Sequence, residues 1–335
     1  MEIIDIFHSY LRMAVARKAS DAYFIAGQPP VVKVESVLEN IAHEDIDKEH
    51  LAEFVFSIIP TQDARERVAQ GKELDIIYAF EGSRFRTNIH LQQGMFALSI
   101  RVVSSEIPTP QFLNFHPTVY KFAQLKKGLV LLTGSTASGK SSVIASIVNM
   151  INHERRAHVI TIEDPIEFVY PRKLAVIEQR QIGLDSNSFS DALKAAFRQD
   201  PDIIMVGEMR DLETIATALT AAETGHLVFG TVHSASTVEA IERIVNIFPA
   251  NQIQQILNQL SGILVAAVSR ELLARKGGGA RVAAWEIMVN TPAISSLIRE
   301  NRLASITSSI QIGSKDGMIT LEQSKVDLKE KGLIL

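Results

Sequence analysis

The hydrophobic pattern of the first hundred residues switches between helical and strand-like spacing. Apolar residues recur at helical spacing in residues 3–17 and 49–59. Strand-like patterns predict strands at residues 22–26, 31–34, 76–80, 84–91 and 96–103. The last two runs flank a Gln-Gln-Gly turn, as in a hairpin. The pattern predicts a small α+β domain over residues 1–105, with helices on one side of an antiparallel sheet.

The pattern loses its periodicity after this domain. Pro108 and Pro110 fix an extended path of the backbone, and Pro117 follows soon after. We interpret residues 106–126 as a linker between two domains.

Beyond the linker, mainly apolar runs alternate with helical patterns. The runs predict strands at residues 129–132, 158–162, 203–206 and 227–229. Helices are predicted at residues 140–150, 190–197 and 212–223. Continuous apolar strands joined by helices are typical of a parallel sheet covered on both faces. We therefore predict an α/β fold with a mainly parallel sheet over residues 127–290.

The last part of the chain is predicted to be mainly helical. Helical patterns dominate from residue 250 onward, apart from a glycine loop at 276–279 and one strand at 281–288. Residues 291–335 are expected to form a helical region that packs on the second domain.

Composition narrows the class of protein. The chain has 335 residues, 46% of them hydrophobic, which is ample for two cores. A formal net charge of -4 gives no general attraction for nucleic acid, so no nucleic-acid partner is expected. There is no cysteine, which excludes disulfides and cysteine-ligated metal sites. The most apolar stretch, residues 260–268, has roughly half the length of a spanning helix, so direct membrane insertion is not expected.

A glycine-rich loop follows the first apolar strand of the second domain and precedes a helix. It matches the pattern G-x-x-x-x-G-K-[ST], in which backbone N–H groups and a lysine surround phosphates and a hydroxyl binds Mg²⁺. The predicted ligands are therefore ATP and Mg²⁺, with Lys140 on the phosphates and Ser141 on the metal. The loop consists of Gly134, Ser135, Thr136, Ala137, Ser138, Gly139, Lys140 and Ser141.

Carboxylates follow two neighbouring apolar strands. Glu163 ends one strand, and Glu208 follows another through a single glycine. Ligands of open parallel sheets bind at the carboxyl ends of the strands, where these side chains would meet. We predict that Glu208 is the catalytic base that polarises water and that it contributes to Mg²⁺ binding, through water or directly.

A further apolar strand lies between two histidines, His226 and His233. A histidine at a strand end is more often structural than catalytic. Gly225 and Gly230 leave room for a ligand or a neighbouring subunit beside this strand. Both histidines are retained as candidate site residues.

The order of these blocks resembles that of the type II/IV secretion ATPases. The matching strings are GSTASGKSS, TIEDPIEFVY, DPDIIMVGEMRDLETI and AAETGHLVFGTVHSAS. The resemblance implies a hexameric ring of identical subunits, each with an N-terminal PAS-like domain and a RecA-like ATPase domain. It also implies roles for Ser142 in the phosphate loop, for Glu163 as the Asp-box carboxylate, and for both histidines as the His-box pair.

The resemblance extends to arginines of the first domain. Arg84, Arg86 and Arg101 match arginines that reach the phosphates in such motors when the domains close. A planar guanidinium can neutralise charge spread over phosphate oxygens. Arg84 and Arg86 are two residues apart, so they share one face of a strand.

Within the family, the chain resembles the retraction motors of type IV pili most. Assembly and secretion members carry a further N-terminal region and commonly a four-cysteine zinc insertion, and this sequence shows neither. Residues 293–300 (AISSLIRE) resemble the AIRNLIRE segment of retraction motors, although an amphipathic surface helix would give the same pattern. The implied partner is a platform protein of the inner membrane, which would hold the cytoplasmic ring at the membrane.

Three alternatives remain open. The chain could be an assembly or competence-type motor, a weakly hydrolysing accessory partner of another pilus ATPase, or a DNA-translocating RecA-type ATPase. Ser135 stands where the family often has proline and Ala137 where it often has glycine. A stiffer loop at Ala137 would reduce nucleotide affinity or turnover. Trp285, the only tryptophan, stands where related chains often have histidine, and the sequence assigns it no role.

Overall fold

A computed structural model describes residues 3–35, 37–103, 106–136, 138–279 and 281–335. The prediction for Ala137 therefore lies outside the described residues. The chain forms two compact units. The first unit comprises Met1–Glu106, Asp164–Val169 and Gln181–Asp185, and the second comprises Ile107–Glu163, Tyr170–Arg180 and Ser186–Leu335.

The described helices and strands follow in chain order. The helices are α1 (Ile3–Ala16), α2 (Lys48–Ile58), α3 (Gln62–Ala69), α4 (Pro117–Tyr120), α5 (Lys140–Glu154), α6 (Phe189–Ala196), α7 (Leu212–Glu223), α8 (Thr237–Asn246), α9 (Ile253–Ile263), α10 (Pro292–Arg299), α11 (Ile306–Ile312) and α12 (Leu321–Glu330). The strands are β1 (Asp21–Ile25), β2 (Val31–Val34), β3 (Val37–Asn40), β4 (Leu74–Phe80), β5 (Ser83–Gln92), β6 (Met95–Val103), β7 (Gly128–Thr133), β8 (His158–Glu163), β9 (Val176–Gln181), β10 (Ile203–Val206), β11 (Leu227–Thr231), β12 (Leu264–Leu273) and β13 (Val282–Val289).

The first unit contains an antiparallel sheet with strand order β3-β2-β1-β6-β5-β4. Helix α1 buries Phe7, which stacks on Phe54 of α2 with ring centroids 4.6 Å apart. Asp47 caps α2 by accepting hydrogen bonds from two backbone N–H groups of its first turn. Strand β3 was not predicted from the sequence, because all four of its residues are exposed and show no alternation of burial.

The second unit contains a sheet with strand order β13-β12-β7-β11-β10-β8-β9. The five consecutive strands β12, β7, β11, β10 and β8 run parallel to one another, and β13 runs antiparallel to β12. The strands β7, β10 and β11 are buried along their whole length, as expected for a sheet covered on both faces. This arrangement confirms the predicted α/β fold class.

One segment that was predicted to be helical is a strand. Residues 264–273 form β12, which lies between β7 and β13, and most of its residues are buried. The helical prediction for this segment was wrong, since its apolar first half, residues 264–268, shows no period that separates a buried strand from a buried helix.

The segment interpreted as a linker contributes to the core of the second unit. Helix α4 begins at Pro117, where proline is well tolerated because the first N–H of a helix has no intrahelical partner. The buried apolar side chains of this segment are those of Leu113, Phe115, Val119, Phe122 and Ala123. Proline in this segment therefore begins a helix, at Pro117, in addition to fixing an extended path of the backbone.

None of the helices in the described part of the chain has both the length and the apolar character that a bilayer crossing requires.

Candidate functional site

Four parallel strands of the second unit end at one edge of its sheet. The phosphate loop follows β7, His233 follows β11, Glu208 follows β10, and Glu163 ends β8. These strands are consecutive in the sheet, so their carboxyl ends adjoin one another. The strand order therefore brings together segments that are far apart in sequence.

The loop between β7 and α5 is built around the lysine side chain. Lys140 is only 9% exposed, and its Nζ donates to the carbonyl oxygens of Gly134 at 2.7 Å and Ser135 at 3.0 Å. The hydroxyl of Ser138 is buried and has no hydrogen-bond partner among the described residues. Helix α5 begins after Gly139 without a side-chain cap, which leaves its first N–H groups available to an anion.

The environment of Lys140 affects its charge. Burial lowers the pKa of the Lys140 ammonium, and the negative charge of Glu208 opposes this shift. Ser141, one residue later, is exposed at the start of α5. The loop thus presents a buried cation, an unpaired hydroxyl and an exposed hydroxyl, which fits a polyphosphate with a bound Mg²⁺.

The two glycines of the loop approach a neighbouring strand closely. A Cβ atom on Gly134 would lie 2.6 Å from the backbone oxygen of Arg270, and a Cβ on Gly139 would collide with the Arg270 guanidinium. Gly139 also has a φ angle of 83°, in the left-handed region that favours glycine. Packing and backbone conformation therefore both require glycine in this loop.

Two side chains, those of Arg210 and His233, contact Glu208 just after the end of β10. Its Oε1 forms an ion pair with Arg210 and lies 3.2 Å from Nε2 of His233. Its side chain is 16% exposed. Burial on its own would raise the pKa of Glu208, but the hydrogen bond from Arg210 and the charges of both partners outweigh it and lower that pKa. Glu208 is thus ionised at neutral pH, as a water-polarising base must be.

The backbone beside Glu208 is attached to both neighbouring strands. The N–H of Gly207 donates to the carbonyl of Ile162 at 2.8 Å, and the N–H of Met209 donates to that of Thr231 at 2.9 Å. The Thr231 hydroxyl donates to the carbonyl of Gly207. These bonds fix the direction in which Glu208 leaves the sheet.

Glu163 lies at the end of the adjacent strand and is 8% exposed. Its Oε1 accepts hydrogen bonds from the Thr161 hydroxyl at 2.7 Å and from the Gln179 amide at 3.0 Å. A Cβ on Gly207 would lie 3.3 Å from the Cα of Glu163. The backbones that carry the two predicted carboxylates are therefore in contact.

His233 and His226 lie at opposite ends of β11. His233 contacts Glu208, and the segment after it is attached to β7 through Thr133, whose hydroxyl accepts from the Ser234 N–H at 3.0 Å. His226 instead precedes the strand, roughly 17 Å of strand away. Its ring nitrogen Nδ1 lies 3.0 Å from the carbonyl oxygen of Ala221, in the last turn of α7.

The structure therefore does not bring His226 to the group around Glu208. Its backbone N–H also donates to the Ala221 carbonyl at 3.1 Å, and its ring packs against Phe197. These contacts satisfy a carbonyl at the end of a helix, which is a structural role.

The three predicted arginines lie on strands of the first unit and contact residues of that unit. The guanidinium of Arg84 donates to the carbonyl of Ile166 at 3.0 Å, and Arg86 pairs with Glu167 at 3.5 Å. Arg101 lies opposite Arg86 in the sheet and pairs with Asp21 at 3.0 Å. Their predicted role at the phosphates stays a prediction.

The sequence reasoning did not assign site roles to Arg210, Gln179 and Arg270. Arg210 stands two residues after Glu208 in the matching string GEMRDLETI, and that spacing was the available signal. Gln179 and Arg270 reach the site from β9 and β12. No local pattern in the sequence marks either residue, because their relevance depends on strand order.

The AISSLIRE segment forms helix α10, whose Ile294 and Ile298 are fully buried. Thr291 caps the helix, and the hydroxyl of Ser295 donates to the Ser261 carbonyl of α9 at 2.8 Å. The segment is an amphipathic helix that packs on α9.

Comparison with known proteins identifies the family of the chain. The sequence model of the family described as "Type II/IV secretion system protein" matches residues 2–326. The "Type IV pilus retractation ATPase PilT" of Pseudomonas aeruginosa is 40% identical over 325 residues, covering 97% of this chain and 94% of the relative. The "Twitching motility protein" of Neisseria gonorrhoeae is 39% identical over 329 residues, covering 97% and 87%.

A solved structure has the same fold over the whole chain. The crystal structure of "the Pilus Retraction Motor PilT and Bound ADP" matches with a TM-score of 0.90 and 40% identity, covering 100% of this chain and 95% of that one. The family that was predicted from the four sequence blocks is confirmed. The chain belongs to the type II/IV secretion system protein family.

Proposed function

We propose that the chain is an ATP-hydrolysing motor that powers retraction of type IV pili. The proposal is based on one observation. The Lys140 loop, an ionised Glu208 and His233 lie together at one edge of the sheet. The similarity to proteins named as a pilus retraction ATPase and a twitching motility protein supports the choice of process. The bound ADP of the similar PilT crystal structure supports nucleotide binding by this chain.

Different groups of the loop bind different parts of the substrate. The N–H groups at the start of α5 and the Lys140 ammonium hold the phosphates, while the Ser141 hydroxyl ligates Mg²⁺. When bound, Mg²⁺ neutralises negative charge on the terminal phosphates. Glycine at positions 134 and 139 keeps the backbone close enough to wrap the phosphate chain.

Glu208 acts on the attacking water. Its carboxylate is ionised and therefore accepts a proton from water that is in line with the γ-phosphate. Contact with His233 and Arg210 restrains the rotamer of Glu208. The buried Glu163 supports this edge of the sheet from the neighbouring strand.

The assembled motor is a homohexameric ring. Arg84, Arg86 and Arg101 of the first unit approach the phosphates when the domains close, and this motion performs the mechanical work. The ring works in the cytoplasm, at the inner face of the membrane, where a platform protein of the pilus machine holds it. An accessory pilus ATPase is a further candidate partner, and nucleic acid is not a substrate.

ATP hydrolysis by purified Glu208→Gln protein tests the chemical assignment. We expect kcat to fall by about a hundredfold or more, because the amide cannot accept the proton. ADP affinity should be retained, since Glu208 is not a phosphate ligand. Glu213→Gln is the matched control, because this exposed glutamate lies on α7 and pairs with Lys194. Equal rates for wild type and Glu208→Gln would reject the assignment.

A deletion strain tests the biological process. Loss of a retraction motor should leave surface pili in excess and abolish twitching, whereas loss of an assembly motor should remove the pili. Complementation with wild type should restore twitching, and complementation with Glu208→Gln should not. A deletion strain without surface pili would favour an assembly role. ATP binding without turnover by the wild-type protein would favour an accessory role, and hydrolysis stimulated by DNA would favour translocation.

A further inference from the structure

Arg270 is a buried cation beside the phosphate loop. It lies on β12, which runs parallel to β7 with Ser269 in register with Thr133. Arg270 is therefore next to Gly134, the first residue of the loop. Arg270 is only 7% exposed.

The guanidinium of Arg270 lies between the loop and an aromatic ring. Its Nη1 donates to the carbonyl oxygens of Ser138 at 3.1 Å and Gly139 at 3.3 Å. The opposite side faces the ring of Trp285, with 5.2 Å between the guanidinium carbon and the ring centroid. The indole N–H of Trp285 donates to the carbonyl of Asn114 at 2.9 Å, which fixes the ring. The fork of Arg270 is thus directed at the start of α5.

No carboxylate in the described part of the chain compensates the charge of Arg270. Its Nε is buried and has no hydrogen-bond partner among the described residues. The adjacent Glu271 pairs with Lys325 at 3.1 Å, and Glu286 accepts from the Thr237 hydroxyl at 2.7 Å. A buried charge without a counter-charge destabilises a fold.

The charge nevertheless persists at neutral pH. Burial, and to a smaller extent the positive charge of Arg281, lowers the pKa of Arg270 to about 10. Lys140 adds a second cation to the same loop. Two buried cations, one in the loop and one beside it, at an uncapped helix start favour a ligand with several negative charges.

We propose that Arg270 is a positioning residue of the nucleotide site. It holds the carbonyls of Ser138 and Gly139 and supplies a fixed positive charge that the phosphates of the nucleotide compensate. Trp285 covers the other face of the guanidinium and keeps it against the loop. This inference rests on the proposed nucleotide binding, and it assigns a role to the tryptophan.

The test uses the full chain with the substitutions Arg270→Gln and Arg270→Lys. ADP affinity is measured by calorimetry, and thermal unfolding is measured without nucleotide. Arg270→Gln retains a donor for the loop carbonyls but removes the charge, so we expect ADP to bind about tenfold more weakly. Arg270→Lys retains the charge and should stay close to wild type. Arg275→Gln is the control, because it removes an exposed arginine from the segment that follows the same strand.

Thermal unfolding separates this role from a purely structural one. The unfolding temperature of Arg270→Gln without ADP should be unchanged or higher, since an uncompensated buried charge is removed. A lower unfolding temperature with unchanged ADP affinity would overturn the proposal, as would equal losses of affinity in the Gln and Lys variants. If Arg270→Gln does not fold, a tenfold loss of affinity in Arg270→Lys would overturn it. Failure of the wild type to bind ADP would instead reject the proposed function.

Discussion

At the scale of single residues, Gly139 combines two independent constraints. Its backbone is left-handed, and the guanidinium of Arg270 occupies the space where a side chain would begin. The pattern G-x-x-x-x-G-K-[ST] identifies this glycine in the sequence, but only the second constraint explains its contact with β12. A substitution at this position therefore reports on the packing beneath the loop.

We expect Gly139→Ala to abolish tight ADP binding, because the new methyl group displaces Arg270 and a left-handed alanine costs about 1–2 kcal/mol. Calorimetry with ADP and thermal unfolding measure both effects. The control is Gly262→Ala in α9, where no atom lies within 4 Å of the added methyl group. That change should not alter ADP affinity, and it should stabilise the helix slightly. Wild-type affinity in Gly139→Ala would contradict the close packing of Arg270 on this glycine.

His8 provides a pH-dependent contact in the first unit. Its Nε2 lies 2.7 Å from the Tyr78 hydroxyl, and its ring stacks on Phe80 at 3.8 Å. Burial, and secondarily the charge of Arg12, lowers the pKa of His8 below its ordinary value of 6.5. The unfolded chain therefore binds this proton more readily, and stability declines as the pH falls through 6.5 toward the pKa of the folded state.

His8→Gln should remove this part of the acid sensitivity, because glutamine can bond Tyr78 and does not titrate. We expect the difference in unfolding temperature, wild type minus variant, to become smaller as the pH is lowered from about 7.5 to about 5.5. Differential scanning fluorimetry at matched ionic strength measures the two curves. Parallel curves would show that His8 does not contribute to acid destabilisation.

At the scale of elements, the cap of α7 begins a helix three residues after Glu208, at Asp211. Asp211 accepts hydrogen bonds from the Thr214 N–H at 2.8 Å and from its hydroxyl at 2.7 Å. The string GEMRDLETI thus contains both the predicted base and the start of the next helix.

Asp211→Ala should destabilise the chain by about 1 kcal/mol, because the first turn of α7 loses its side-chain acceptor. Asp211→Asn retains an acceptor and should recover most of that loss. Urea unfolding of both variants measures the change in free energy. Equal stability of Asp211→Ala and wild type would mean that water satisfies the N–H groups as well as the carboxylate does.

Three strands show where prediction of elements from sequence succeeds and fails. The buried run of β7 is bounded by turn-forming residues and was predicted, whereas β12 begins with an apolar run, residues 264–268, directly after a helix. A fully apolar run has no polar face whose period could distinguish strand from helix. The exposed edge strand β3 was missed for the opposite reason, since it has no buried face.

At the scale of the whole molecule, the arginines of the first unit are the predicted link between hydrolysis and motion. Arg84 and Arg86 contact residues 166 and 167, which follow the Glu163 strand in sequence but belong to the first unit. The chain thus passes directly from a candidate site carboxylate into the unit that carries the arginines.

Arg86→Gln should lower the ATPase kcat at least tenfold while changing ADP affinity little, because an arginine that reaches the phosphates acts mainly in the transition state. Steady-state kinetics and ADP calorimetry separate the two effects. Arg12→Gln is the control, since Arg12 is an exposed arginine of the same unit that pairs with Glu81. An unchanged kcat in Arg86→Gln would reject the predicted role.

The sequence by itself determined the parts that local pattern encodes. A strand, a glycine-rich loop and a helix in succession identify the phosphate loop, and the order of four motif blocks identifies the family. Glu163, Glu208 and His233 were predicted as site residues because each ends an apolar strand or follows one within two residues. Local spacing suffices in these cases, because parallel strands place such residues at one edge.

Only the tertiary structure decided which residues contact one another at that edge. The register of β12 against β7 places Arg270 beneath the loop, and the direction of β11 sends His226 to the far end of the sheet. Strand order also gives Glu208 its contact with His233 and gives Glu163 its contact with Gln179. These pairs are separated by many residues, so their contacts depend on how the whole sheet is assembled and leave no periodic signal in the sequence.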